Sequence, residues 1–231
     1  MTNVSGKREF RTIWFLLLGF CLAAAVVLAF CVQFYAGLPD NIGRELTLEE
    51  AAEVKGRNSS LIDYVLLSPN ADFPRKDPVR KITIHHMAGD LSLEALGDNF
   101  SDRDRRASSN YGIDSDGRIA LYVEEDNRPW TSSSRENDHQ AVTIEVANDQ
   151  VGGEWHVSDE SYEALIDLCT DVCLRHGIEE LYFTGDPHGN LTLHNMFNSQ
   201  TECPGPYLES RMEEIASSVN RRLRERREGG T

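Results

Sequence analysis

The chain has 231 residues, enough for one domain with a sizeable core plus appendages. Its formal net charge of -15 leaves no basic surface to displace counterions from phosphates, which argues against a nucleic-acid partner. Five cysteines, two of them in an N-terminal apolar run, do not make a disulfide scaffold.

Residues 1–12 carry Lys7, Arg8 and Arg11 and lead into an apolar run from Ile13 to Phe34, uncharged and with Gln33 as its late polar residue. A bilayer core of about 30 Å takes roughly 20 apolar residues in a helix, whereas the apolar part of a cleavable signal spans about 7 to 15. The reading is an uncleaved transmembrane signal anchor over 13–36. The positive-inside rule then puts 1–12 in the cytoplasm and everything beyond the anchor outside, as a single-pass protein of the cell membrane. Lys7, Arg8, Arg11 and Glu9 give the first 36 residues two net positive charges, so the outer part is two charges more acidic than the whole chain.

Residues 37–57 are polar and mixed and read as a stalk or lead-in, with a capping box at Thr47-Leu48-Glu49-Glu50 marking a short helix. The domain proper is expected over 58–225. Its pattern predicts a strand over 80–85, a helix over 92–100, and strands over 110–114 and 118–123 joined by the turn Asp114-Ser115-Asp116-Gly117. A further strand, Ala141 to Ala147, puts Val142, Ile144 and Val146 on one face and Thr143 and Glu145 on the other. Tyr162, Leu165, Ile166, Cys169, Val172 and Cys173 keep the spacing of a core-facing helix that Gly177 stops, which makes both cysteines packing residues. A short strand over 181–183, a last helix through Leu208, Met212, Ile215, Val219 and Leu223, and a fraying arginine-rich tail over 226–231 complete the chain. Strands interleaved with helices, some joined by hairpins, give an α/β domain with a mixed central β-sheet flanked by helices.

Two stretches carry chemistry. Lys81-Ile82-Thr83-Ile84-His85-His86 is a buried strand that delivers imidazole to the mouth of a cleft. Far downstream, His194 and Cys203 share one loop, which Pro204, Gly205 and Pro206 stiffen. In an exported protein, metal ligation explains a lone cysteine better than a free thiol does. His85, His194 and Cys203 form a three-ligand set that leaves zinc an open fourth position, and thiolate with imidazole favours zinc over magnesium or calcium. From alternation alone, Glu145 is a strand carboxylate aimed away from the core.

The stretches ITIHHMAG, SSNYGIDSDGRIALYVEE, HQAVTIEVAND and LTLHNMFNSQTECPGPYL together resemble the zinc-dependent N-acetylmuramoyl-L-alanine amidases of the type 2 amidase superfamily. That superfamily includes phage endolysins and the peptidoglycan recognition proteins, and the resemblance covers roughly 78–220. It implies one zinc ion on His85, His194 and Cys203, with Glu145 as general base. Where several relatives carry a lysine two residues before the last ligand, this chain has Thr201, as recognition-protein amidases do; its hydroxyl is a weaker oxyanion donor. Thr131 follows Trp130 where relatives often have a histidine, which leaves His86 and His139 as candidates for the missing imidazole. Trp130, Trp155 and His156 are candidates to line a groove by stacking.

The resemblance implies a cell-wall hydrolase that cuts the amide between N-acetylmuramic acid and L-alanine, with peptidoglycan as partner; the membrane, reached through the N-terminal helix, is the expectation of the apolar run. Two alternatives stay open: a non-catalytic peptidoglycan-binding sensor, and a zinc peptidase acting within the stem peptide. The sequence sets no oligomeric state.

Overall fold

The structure, a computed structural model, describes residues 17–28 and 39–229. It divides into two units, Met1–Asp40 and Asn41–Thr231. In the first, residues 17–28 are helical and exposed. Among the described residues no helix is long and apolar enough to cross a membrane, so the expected transmembrane helix finds no support here. The remainder of the expected anchor, 13–16 and 29–36, lies outside the described residues.

The second unit starts at Asn41, earlier than the boundary read from sequence. Thr47 caps helix α1 (Leu48–Arg57) through the full capping box, its hydroxyl accepting the Glu50 amide at 3.2 Å while the Glu50 carboxylate accepts the Thr47 amide at 2.8 Å. The helix is no free stalk, because Val54 is buried in the main core. Asn58, just beyond it, accepts the amide of Glu125 at 2.8 Å.

Eight strands follow: β1 (Tyr64–Val65), β2 (Ala71–Asp72), β3 (Lys81–His86), β4 (Tyr111–Ile113), β5 (Ile119–Leu121), β6 (Arg128–Pro129), β7 (Ala141–Val146) and β8 (Leu191–Leu193). Six form one mixed sheet in the order β1-β5-β4-β7-β3-β8, antiparallel at β4–β5 and parallel elsewhere, while β2 and β6 pair separately. The helices are α2 (Leu93–Ser101), α3 (Arg135–Gln140), α4 (Asp159–His176), α5 (Pro206–Glu209) and α6 (Met212–Gly229). The mixed sheet with flanking helices is the expected fold class.

Strand alternation sorts the sheet into two chemically different faces. Ile82, Ile84, Val142, Ile144, Val146, Leu191 and Leu193 join Leu165, Val172, Ile215 and Val219 in one core under α4 and α6. The opposite face is a file of hydroxyls and amides: Thr83 and Thr192 share a hydrogen bond at 2.9 Å, Asn137 donates to Thr83 at 2.9 Å, and Thr131 and Thr143 meet at 3.0 Å. Helix α2 covers part of this face with Leu93, Leu96 and Phe100 against Tyr122. Gly177, at φ 66, ends α4 as expected, donating its amide to Cys173.

Two expected elements differ. Residues 181–183 form no strand; the Tyr182 carbonyl accepts the amides of Asn190 and Leu191, both at 3.2 Å, so this segment closes a loop on itself. The last helix is broken after Glu209, and its second half continues through the arginine-rich stretch to Gly229. Hydrogen bonds from Arg222 to Asp167 and Glu163, and from Arg227 to the Glu179 carbonyl, tie that half down.

The remote end of the domain is held by Glu125, which is 3% exposed. Tyr111 donates to it at 2.7 Å, His176 approaches at 2.7 Å, and Arg175 grips both its oxygens. Burial opposes charging this carboxyl, but the bonds from Arg175 and His176 win and hold it at about 2. A carboxyl depressed in the folded state contributes stability above its unfolded pKa and loses it as pH falls toward the folded one. Glu125→Gln is therefore expected to lower unfolding free energy at pH 7 by about 3 kcal/mol, with the difference from wild type shrinking between about pH 5 and pH 2. Denaturant titrations across that range measure it.

Candidate active site

The register of β3 against β7 places His85 directly beside Glu145, at the ends of two central parallel strands and on the polar face. Both residues have the parity of Thr83 and Thr143, so the alternation that buries Ile84 and Ile144 on one side sends imidazole and carboxylate to the other. His86, one residue on, has the opposite parity. It is carried at the strand's last position, where its ring meets Trp155 edge-on at 5.1 Å.

The third and fourth residues arrive from after β8. His194 opens a 3-10 turn immediately beyond that strand, and its ring lies 4.7 Å from that of His85. The loop then returns Cys203, whose carbonyl accepts the Asn195 amide at 3.0 Å. The Cys203 sulfur accepts the His86 backbone amide at 3.3 Å and stands 3.7 Å from His85 Nδ1. One ligand atom each from His85, His194 and Cys203 lies within 4.8 Å of the others. His85 is 1% exposed and Cys203 7%. Glu145, with a side chain 16% exposed, holds an oxygen 4.0 Å from His85 Nδ1, too far for a hydrogen bond.

Electrostatics follow from this burial. Desolvation, reinforced by the charges of His194 and His86, holds His85 well below its ordinary value; desolvation also lowers His194 and brings His86 to about 4. Both candidate ligand imidazoles are therefore neutral, the state in which they bind metals. Burial and the Glu145 charge push the Cys203 thiol well up, opposed by the His86 amide. Burial pushes Glu145 up to about 8, opposed by Arg105.

These groups open onto a cavity of about 280 Å³ lined by His86, Glu145, His194, Thr201 and Cys203 together with Leu91, Leu96, Phe100, Arg105, Trp130 and Thr131. Thr201 accepts the Cys203 amide at 3.2 Å and so keeps its hydroxyl hydrogen to donate. Trp130 is fixed in place by donating its indole N–H to Asp72 at 2.9 Å.

A model of the N-acetylmuramoyl-L-alanine amidase family matches residues 75–206, more than half of the chain. The chain belongs to this amidase family. Among solved structures, the amidase is similar to PlyL (TM-score 0.55, 16% identity, covering 68% of this chain and 96% of that one). It is similar to a selenomethionine derivative of AmpD (TM-score 0.51, 18% identity, 68% and 95%). A third likeness is LysC, an N-acetylmuramoyl-L-alanine amidase from Clostridium intestinale URNW (TM-score 0.51, 19% identity, 68% and 97%). At these identities the likeness is one of fold. A comparison with curated proteins finds no match.

The residues present fit a zinc ion. Nε2 of His85 and Nε2 of His194 are buried without a hydrogen-bond partner among the described residues, a costly arrangement that a ligating role for these rings would explain. Imidazole nitrogen and cysteine sulfur are both ordinary zinc ligands, and three of them leave a fourth position open. A cation there would also draw the proton from the Cys203 thiol.

Of the other sequence candidates, His139 does not line the cavity. Its Nδ1 accepts the Lys76 amide at 3.2 Å and its Nε2 faces Asp72 at 3.9 Å, which leaves His86 as the imidazole near the ligand cluster. Thr131, which stands where relatives often have a histidine, is tied to the Ser108 carbonyl at 2.7 Å. Trp155 packs on His86 rather than lining the cavity, and His156 pairs with Asp149 at 2.7 Å. Tyr111, the strand aromatic before the hairpin, is fully buried and serves Glu125. Sequence reasoning passed over Arg105 and the apolar wall of α2; the run Arg103-Asp104-Arg105-Arg106 in so acidic a chain was the available signal.

Gly205 makes the ligand loop possible. It sits at φ 84, and a Cβ there would lie 2.9 Å from Trp155 Cβ and 3.3 Å from His86 Nδ1. Gly205→Ala is expected to cost about 1–3 kcal/mol of stability from backbone strain. It should also displace Trp155, a change to be read by thermal unfolding and near-ultraviolet circular dichroism.

Proposed function

We propose that the chain hydrolyses the amide between the lactyl group of N-acetylmuramic acid and the L-alanine of the peptidoglycan stem, with one zinc ion held by His85, His194 and Cys203. The observation that carries the reading is the convergence of these three ligand atoms, both rings bearing an unpartnered buried nitrogen, beside a cavity that His194, Cys203 and Glu145 line. Bound zinc supplies a Lewis acid that acidifies water and polarises a carbonyl. Glu145 takes a proton from the water that attacks the carbonyl carbon and delivers it to the departing alanine nitrogen as the C–N bond breaks. The Thr201 hydroxyl and the His86 ring face the same cavity and steady the oxygen on which charge develops.

The basic residues ahead of the N-terminal apolar run support an anchor with the domain on the outer side of the membrane, where peptidoglycan lies. Protease treatment of intact spheroplasts tests that placement; protection of the domain from digestion would refute it. Digestion of purified peptidoglycan tests the activity. Free lactyl groups with new N-terminal L-alanine support the amidase, other new amino termini indicate a stem peptidase, and binding without products indicates a sensor.

A further inference from the structure

A second cavity shares no lining residue with the catalytic one. Lys81, Thr83 and His85 have the same parity on β3, so Lys81 stands on the sheet face that carries His85, about 13 Å back along the strand at about 3.3 Å per residue. Around Lys81, α3 contributes Glu136, Asn137 and Gln140, and the loop that carries the metal ligands contributes Phe197. The cavity holds about 290 Å³, the small end of the range for small-molecule sites.

Its walls are tied in place. The Lys81 ammonium donates to the Pro187 carbonyl at 2.7 Å, and Asn198 donates to the Ser133 hydroxyl at 3.3 Å, which joins the ligand loop to the approach of α3. One acceptor in the wall is unanswered. Asn137, 4% exposed, donates its amide to the hydroxyls of Thr83 at 2.9 Å and Ser132 at 3.2 Å. Ser132 gives its own hydrogen to the Asp138 carboxylate at 2.6 Å, so toward Asn137 it can only accept, which fixes the orientation of that amide. Asn137 Oδ1 is left buried without a hydrogen-bond partner among the described residues, a costly arrangement that a ligand's donor would relieve.

The rest of the lining narrows the ligand class. Among the described residues no hydrogen bond occupies the side chain of Glu136 or Gln140. Two planar amides and a carboxylate therefore offer mostly acceptors, beside the apolar ring of Phe197. Lys81 is the one cation lining the cavity among the described residues, and it is already engaged with Pro187 while Glu136 lines the same space, so an anionic ligand is poorly served. A neutral pyranose fits better, because its hydroxyls donate and its C–H face packs on an aromatic ring. An acetamido substituent adds an N–H for Asn137 and a methyl for Phe197.

We propose that this cavity is a further sugar subsite that takes an N-acetylated hexose of a glycan strand. The inference rests on the proposed amidase reading for the identity of the strand, which would run along one sheet face from the metal site to Lys81.

The test measures dissociation constants by calorimetry on the full chain in detergent, with tri-N-acetylchitotriose, its deacetylated form and cellotriose, none of which carries a stem peptide. The N-acetylated sugar is expected to bind about tenfold more tightly than either of the others, and Gln140→Ala and Phe197→Ala are each expected to weaken it about tenfold. Asn137→Ala removes the acceptor together with the bonds to Thr83 and Ser132, so the other two variants, whose side chains make no hydrogen bond among the described residues, decide the matter. No binding of tri-N-acetylchitotriose, equal affinity for all three sugars, or an affinity unchanged in both variants would overturn the proposal. Hydrolysis of N-acetylmuramoyl-L-alanyl peptides by the unmodified chain is scored separately. Absence of cleavage would sink the amidase reading while the trisaccharide affinities still decide the role of the cavity.

Discussion

His85→Ala is expected to leave the chain folded but without its metal, with amide hydrolysis lowered on the order of a thousandfold or more. The expectation of an intact fold comes from the sheet. His85 lies on a strand paired on both sides, and its backbone register with Glu145 does not depend on its ring. Among the described residues the ring makes no hydrogen bond beyond the long contact to the Cys203 sulfur, and its Nε2 is unpartnered, so deleting it removes a desolvation cost along with some packing. The expectation of metal loss comes from the donor count, because two remaining ligands cannot hold a three-ligand site. Cys203→Ser gives the comparison: the hydroxyl keeps the shape but is a poor zinc donor, so partial loss is expected. Atomic emission for zinc, hydrolysis of purified peptidoglycan and far-ultraviolet circular dichroism separate the cases. Full zinc content with full activity in either variant would remove the ligand assignment.

The sheet was legible because its two faces differ so sharply. Val142, Ile144 and Val146 announce β7, and the same alternation puts Glu145 on the polar side without reference to any relative. Parity likewise separates His85 from His86, and the second ring enters as a candidate only through the family resemblance. What alternation does not carry is where a loop returns. The meeting of Cys203 with His85 depends on Gly205 at positive φ and on the Asn195 amide bonding back to Cys203, contacts set by tertiary packing rather than local pattern. The boundary at 58 missed for a related reason. Helix α1 reads as a polar lead-in, since it buries Val54 as its sole fully covered residue, and its attachment runs through Asn58 to Glu124 and Glu125, residues more than sixty positions away. Arg105 was passed over because arginines near a turn ordinarily read as solvated surface. The cavity that makes it different is assembled from α2, β7 and the Cys203 loop.

Glu145→Gln is expected to lower kcat by about a thousandfold while zinc content and substrate affinity stay close to those of the unmodified chain. The substitution keeps size and shape and removes only the capacity to take a proton. Among the described residues the Glu145 side chain makes no hydrogen bond, and His85 Nδ1 is 4.0 Å away, so structural damage is not an available explanation for the loss. The alternative for Glu145 is a carboxylate that merely faces solvent from a strand. Such a residue would be open to water, whereas this one has a side chain 16% exposed and lines a cavity shared with His194, Cys203 and Thr201. Single-turnover hydrolysis separates the two: a proton acceptor slows the chemical step, and a solvated strand carboxylate leaves it unchanged. Glu145→Asp sharpens the result, since it retains the acid but withdraws it by one methylene. Because proton transfer needs hydrogen-bond reach, the aspartate is expected to recover only a small part of the lost rate. Recovery to near the original kcat would mean that charge in the cavity matters and position does not, and would reassign Glu145 from proton carrier to electrostatic neighbour of the metal ligands.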